Sequence, residues 1–527
     1  MKHTTSVARL ATARKSVRLR RSSRSRGVAR GPRENVSTGA LAQVAPSQQK
    51  LGLRALIATT FFVVSGGPYG LEEVISGHGF GRALILLAVV PLIWSLPITL
   101  LVGELTAMLP TEGGYYSWAR RALGPFWGVQ TAWMALAMSL FDMAIYPMLV
   151  VTYLGQLFPS LMGMDVGGAG WWAALVLIGL SVMWNLRGAE MLGTISQLIG
   201  VLLLLPFVVL VVLAVSGLGP TNLLDGISSH IHFRAHDGDN MMLWLNGLLL
   251  CLWNYMGWEN ASPVASCVEN PQRTYPRAMF LTVLLIAGCY LLPVLCAVTS
   301  GMRAEEWQTG GWVEVGRRMG GPYLAIAIAL GGALCGLGMF NALIATYSRL
   351  PLAMAEDGLL PKWLGKKDAK TGAPRRSILF SALLYTACLG LGFKRLIQID
   401  VMLYGALMVI EFASLIMLRI KEPHLARPFR IPGGLPAVIG LGLLPTLLLA
   451  ASLWMGRNDP GMWGLSALSL GAIVLALGPF VYLASRCFAR NSERDRLHPS
   501  PHGVPGTEPN PSLSATKTAR AAYEFST

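Results

Sequence analysis

Two clusters of residues able to do chemistry sit inside stretches that are otherwise apolar. Ser65, Gly66, Gly67, Pro68, Tyr69 and Gly70, followed by Glu72 and Glu73, form the first; Trp253, Asn254, Tyr255, Met256, Gly257, Trp258 and Glu259 form the second. Glycine opens backbone conformations closed to residues with a Cβ, and proline removes an amide donor, so both clusters predict a helix that unwinds. Inside a bilayer the freed backbone groups need partners, and a solute or a water-lined cavity supplies them. Amides exposed from about Tyr69 onward would form a positive dipole end suited to an acceptor group, with Ser65, Gly66, Gly67 and Gly70 as its cradle.

The acids set the kind of solute. Glu259 is placed near mid-membrane, where an ionised carboxylate is costly unless a cation, a proton or hydrogen-bond donors satisfy it. It is therefore the candidate for proton coupling. Trp253 and Trp258 can offer ring faces to a cation or close over it, with Tyr255 beside them. Asp142 and Tyr146 are four residues apart, so a helix puts acid and phenol on one face, a pairing suited to an amine. Tyr404 and Glu411, two turns apart, repeat that theme. Glu72 and Glu73 point about 100° apart on a helix, so only one of them, Glu72 in this reading, faces the permeation path. Glu104 lies toward one end of its helix, within reach of loop arginines. The apolar stretches hold almost no Lys, Arg or His at mid-depth, and uncompensated acid there implies cation traffic.

The elements that must position these groups are spanning helices. With 53% hydrophobic and 13% charged residues in 527, and a mean hydropathy of +0.51, the chain is a polytopic membrane protein. Apolar runs near 53–78, 82–109, 126–158, 171–187, 192–217, 240–268, 277–300, 321–350, 375–391, 399–419, 434–455 and 463–487 give about twelve spans. The first and sixth carry the breaks. Five segments separate one break from the next, which predicts two five-helix repeats of inverted topology, the LeuT-like plan, with two peripheral helices after them. Arg120, Arg121, Arg187, Arg273, Arg277, the 362–376 stretch and the 419–430 stretch fall in alternate loops on the side of both tails. The positive-inside rule makes that side cytoplasmic.

The net charge of +16 gathers in tails and loops, so it reports topology and contact with lipid headgroups, not a nucleic-acid partner. Residues 1–50 read as a basic disordered tail or an organellar transit peptide, 51–490 as the transporter domain, and 491–527 as a second disordered tail. The host membrane is then the plasma membrane or that of an organelle. Seven cysteines without CxxC spacing predict neither a disulfide framework nor a metal cluster. His230, His232 and His236 read as a solvated loop. No Walker loop, dinucleotide fingerprint or nucleophile elbow is present, so neither a cofactor nor an enzymatic activity is expected.

A resemblance sharpens this reading. The stretches Phe61 to Glu73, Pro91 to Pro97, Gly103-Glu104-Leu105, Pro110 to Tyr115, Leu123 to Gly128, Asp142 to Pro147, Trp253 to Ser262 and Val268 to Pro271 resemble the amino acid–polyamine–organocation superfamily. They are most similar to its polyamine uptake transporters of plants and protozoa. The likeness runs from about residue 53 to 430 and is most specific in its first third. It implies a LeuT-like fold of twelve helices and proton-coupled uptake of polyamines such as putrescine and spermidine. By position, it also implies a backbone substrate site at Gly66 to Gly70, an aromatic gate at Trp253 and an acidic coupling position at Glu259. Plant-type relatives carry Asp where this chain has Glu259, and Ser348-Arg349 is closer to amino-acid permeases. A proton-coupled amino-acid permease of the same fold, and a non-transporting sensor or partner subunit, are the alternatives; the sequence leaves oligomeric state open.

Overall fold

The computed structural model describes residues 52–110, 114–187, 192–231, 241–260, 262, 268–368, 371–456 and 466–497. The basic tail, the residues beyond Leu497, and His232 and His236 lie outside the described residues. Among those described, the helices are α1 (Leu53–Val64), α2 (Glu72–Val90), α3 (Leu96–Met108), α4 (Gly114–Leu123), α5 (Pro125–Gly155), α6 (Ala169–Leu186), α7 (Leu192–Val215), α8 (Leu223–His230), α9 (Met241–Asn254), α10 (Pro271–Ala297), α11 (Trp312–Tyr347), α12 (Arg349–Glu356), α13 (Arg375–Cys388), α14 (Phe393–Lys421), α15 (Gly434–Gly456) and α16 (Ala467–Leu497). Strands are absent among the described residues, and the fold is the all-α, polytopic one expected. Eight helical stretches there are long and apolar enough to cross a membrane, with the shorter apolar helices α1 and 200–215 beside them.

Boundaries follow local chemistry. Pro125 opens α5 after Gly124, and Pro271 opens α10 after Asn270, each proline standing where a helix has no amide to lose. A five-residue π turn, Pro91–Ser95, joins α2 to α3 into one 37-residue stretch. Prolines inside α5, α7, α10 and α11 are tolerated because neighbouring helices and local backbone adjustment satisfy the freed carbonyls. The last helix continues to Leu497, past the expected tail boundary at 490.

Burial separates a centre from a periphery. In α5, 94% of the apolar window is buried inside the protein, against 22% in α15 and 17% in α16. The last two helices thus lie at the rim. Close approach of α11 to α5 depends on small residues: a Cβ at Gly332 would come 2.4 Å from the Tyr153 ring, and one at Gly336 2.7 Å from Val150. Outward faces carry apolar side chains such as Leu205, Val208, Val212, Leu284 and Leu447. That is the surface a hydrocarbon solvent requires.

Candidate functional site

Between α1 and α2 the backbone leaves the helix where the glycines predict. Gly66, Gly67 and Gly70 take φ of +62°, +104° and +93°. Gly66 also has no room for a side chain, since a Cβ would stand 2.3 Å from the Met339 sulfur and 2.7 Å from that of Cys335. Several of the freed groups have partners within the protein. The Gly67 amide donates to Ser65 Oγ at 3.1 Å, and the Trp312 indole donates to the Pro68 carbonyl at 2.9 Å. The Tyr69 hydroxyl donates to the Leu203 carbonyl at 3.2 Å. The amide expected to receive a solute's acceptor receives the chain's own carboxylate instead: Gly70 N–H donates to Glu72 Oε2 at 2.7 Å. Glu72 also accepts from Gly310 N–H at 3.1 Å and from the Tyr153 hydroxyl. Glu73 accepts from Thr309 Oγ1 at 2.7 Å. Both acids face neighbouring segments, and neither lines the cavity described below.

The second break follows α9. Gly257 has φ +89°, and its amide donates to the Tyr404 hydroxyl at 3.3 Å. That hydroxyl in turn donates to Glu259 Oε2 at 2.8 Å. Glu259 is fully buried, and its Oε1 has no hydrogen-bond partner. Gly70-Leu71-Glu72 and Gly257-Trp258-Glu259 are thus the same local device: a left-handed glycine, then two residues on a buried glutamate that receives a tyrosine hydroxyl.

A cavity of about 40 Å³ lies between the breaks, lined by α1, the first break, α5, α9, the second break, α10, α11 and α14. Of the expected site residues, Ser65, Asp142, Tyr146, Trp253 and Tyr404 line it. Asp142 accepts from Tyr146 at 3.0 Å, the bond its spacing predicts, and from Tyr347 at 3.3 Å. Tyr347 itself accepts from Asn260 Nδ2 at 2.9 Å, which ties Asp142 to the second break. Trp253 rests against Gly70, where a Cβ would come 3.2 Å from its ring, and meets Phe393 edge to face at 5.9 Å. One indole therefore touches the first break from the end of α9.

Other expected residues stand outside the cavity. Gly66, Gly67 and Gly70 shape the break without lining it, and Glu259 reaches it only through Tyr404. Tyr255 turns away, donating to the Leu87 carbonyl at 2.9 Å. Trp258 is fully buried, with its indole N–H on the Tyr255 carbonyl at 2.8 Å. In place of ring faces it offers packing. Glu411 is buried with both oxygens unpartnered, also outside the lining. Asn260, Tyr290, Tyr347 and Asp400 complete the polar wall and were not among the expected site residues. Asp400 carried a signal: it is an acid at the edge of an apolar run, four residues before Tyr404. Among the described lining residues there is no Lys, Arg or His.

The two ends of the bundle close over this cavity differently. At the end where α1 begins, Glu104 accepts from Arg419 at 2.9 and 2.5 Å and from the Ile431 amide at 2.8 Å, the arginine pairing expected of it. At the other end Trp307, Trp312, Phe80 and Phe207 pack edge to face over Tyr69.

Comparison with known proteins gives the family. The amino acid permease family profile matches residues 57–477. Polyamine transporter PUT1 of Oryza sativa subsp. japonica is 32% identical over 429 residues, covering 81% of this chain and 78% of its own. Polyamine transporter RMV1 of Arabidopsis thaliana is 32% identical over 427 residues, covering 81% and 84%. The branched-chain amino acid permease BcaP of Lactococcus lactis is 26% identical over 334 residues, covering 61% and 69%. A match over most of the chain, a helix broken at each glycine cluster and a polar cavity between the breaks lead to one assignment: this chain belongs to the amino acid permease family.

Proposed function

We propose that the protein is a secondary transporter that takes up small cationic amines of the polyamine class, putrescine or spermidine, together with a proton by alternating access. The observation that carries this reading is the cavity between the breaks, lined by carboxylates and phenols and, among the described residues, by no basic side chain. An ammonium group is the solute feature that such a wall satisfies. Similarity to PUT1 and RMV1, named as polyamine transporters, supports the same class.

Asp142 meets the ammonium, with Tyr146 and Tyr347 holding its two oxygens in place. Trp253 covers the amine from above Gly70 and supplies a ring face. Glu259 carries the coupled proton. One of its oxygens is unpartnered, and Tyr404 joins it to the cavity wall, so loading of the cavity and protonation of Glu259 act on one hydrogen-bonded unit. Alternating access is then opening at either the Glu104–Arg419 end or the Trp307–Trp312 end. The loop arginines support a cytoplasmic side for both termini, with the plasma membrane as host.

The amino-acid permease reading needs backbone amides of the first break for an α-carboxylate. There the Gly70 amide is already bonded to Glu72, which counts against it. Reconstitution into liposomes with labelled putrescine, spermidine and neutral amino acids decides. Accumulation of putrescine under an inward proton gradient, abolished by a protonophore, is expected. Accumulation of a neutral amino acid alone would establish the permease alternative, and no accumulation of any solute the sensor.

A further inference from the structure

The amine reading uses one carboxylate of the cavity wall, yet the wall has two. Asp400 stands near the start of α14, is fully buried, and lines the cavity with both oxygens free of any hydrogen-bond partner. Its neighbour on the same helix face is Tyr404, one turn or about 6 Å further along. Tyr404 is committed to Gly257 and Glu259. Asp142 is presented from α5, held by two phenols. Asp400 thus differs from the other acids of the breaks and of the cavity wall; Glu411 also lacks donors but lies outside the lining. Glu72 has three donors, Asp142 two and Glu259 one, whereas Asp400 has none.

A buried carboxylate without donors is costly whether charged or neutral, and a fold keeps one only where something else completes it. Among the described residues, nothing basic in the cavity wall can do so. We propose that Asp400 is the anchor for a second ammonium group, so that the site is built for diamines and longer polyamines whose two cationic ends lie on Asp142 of α5 and Asp400 of α14. This rests on the amine-uptake reading above. A monoamine or a zwitterionic amino acid would pair Asp142 and leave Asp400 bare, so the preference for two charges comes from the penalty of the unpaired group as much as from the attraction of the paired one. The aliphatic stem between the charges meets Met138, Leu149, Met256 and Met339, which supply apolar wall between the acidic points.

The test compares 1,4-diaminobutane with 1-aminobutane as competitors of labelled putrescine uptake in liposomes holding wild type or Asp400→Asn. Wild type should favour the diamine at least tenfold. The substitution, nearly isosteric, should weaken diamine competition at least tenfold and leave the monoamine unchanged, bringing the ratio near one. An equal loss for both competitors, or no change in either, would overturn the assignment while leaving amine uptake standing. Wild-type protein that carries amino acids and no diamine would remove the amine reading itself. Should Asp400→Asn fail to reach the membrane, Asp400→Glu gives a second readout: its longer reach should shift preference toward 1,3-diaminopropane, and an unchanged chain-length preference would refute the anchor.

Discussion

The two breaks of this transporter carry the same three-residue device and spend it differently. At Gly70-Leu71-Glu72 the glycine amide bonds the glutamate directly, while a second amide and Tyr153 fill the remaining positions on that carboxylate. At Gly257-Trp258-Glu259 the glycine amide reaches the glutamate only through the Tyr404 hydroxyl, and one carboxylate oxygen is left over. A carboxylate surrounded by donors is held fixed, and it ties an unwound backbone to the loop before α11. A carboxylate with a spare oxygen can accept a proton without displacing a structural bond. On the proposed reading, related local sequences serve as a rivet in the first break and as a working part in the second.

Substitutions at equivalent positions should break the comparison or sharpen it. The largest effect is expected for Glu259→Gln, which should lower uptake driven by a pH gradient at least about 100-fold, within the range of a lost proton-transfer group, while the protein still reaches the membrane. Uptake that keeps its response to the gradient would end the distinction between the breaks. Glu72→Gln should act instead on stability. An amide nitrogen there faces backbone donors, at a cost of about 1–3 kcal/mol, read as a lower unfolding temperature in detergent with the Michaelis constant for putrescine unchanged. Tyr404→Phe removes the bridge between Gly257 and Glu259 and should slow turnover about tenfold, or about 1.4 kcal/mol, with little change in unfolding temperature. The smallest effect belongs to a pair outside both breaks, Arg121 and Glu422, bonded at 2.9 and 2.7 Å and both partly exposed. Hydrogen bonding to Arg121 holds the Glu422 carboxyl below its usual range. Its contribution is therefore present at neutral pH and lost as pH falls through the carboxylate range. Arg121→Ala should cost under about 1 kcal/mol, and the difference from wild type in thermal unfolding should vanish in acid.

Much of this is legible in the sequence. Glycine and proline inside apolar runs located both breaks, because few other residues can leave a helix there. The four-residue spacing of Asp142 and Tyr146 gave a bond that forms at 3.0 Å, since both belong to one regular helix. The orientation of Tyr255 and Trp258 was not legible: once the backbone unwinds at Gly257, the 100° step that relates neighbours on a helix no longer applies. Nor were the partners of Glu72, which come from α5 and from the loop before α11. Asp400 escaped for a different reason. Beside Lys394 and Arg395 it reads as an interfacial residue, and only the packing of α14 against the cavity shows it to be buried.

The size of the cavity has a pharmacological consequence. Sites for drug-sized molecules occupy about 300–1,000 Å³, whereas the closed space here is about 40 Å³. The solute must therefore be accommodated by moving walls, and a flexible chain can follow them as they close. A rigid, bulky diamine could satisfy the acidic points from an open mouth yet prevent the bundle from closing behind it. Such compounds should act as blockers instead of cargo, and ring size, more than charge, should decide where one behaviour gives way to the other.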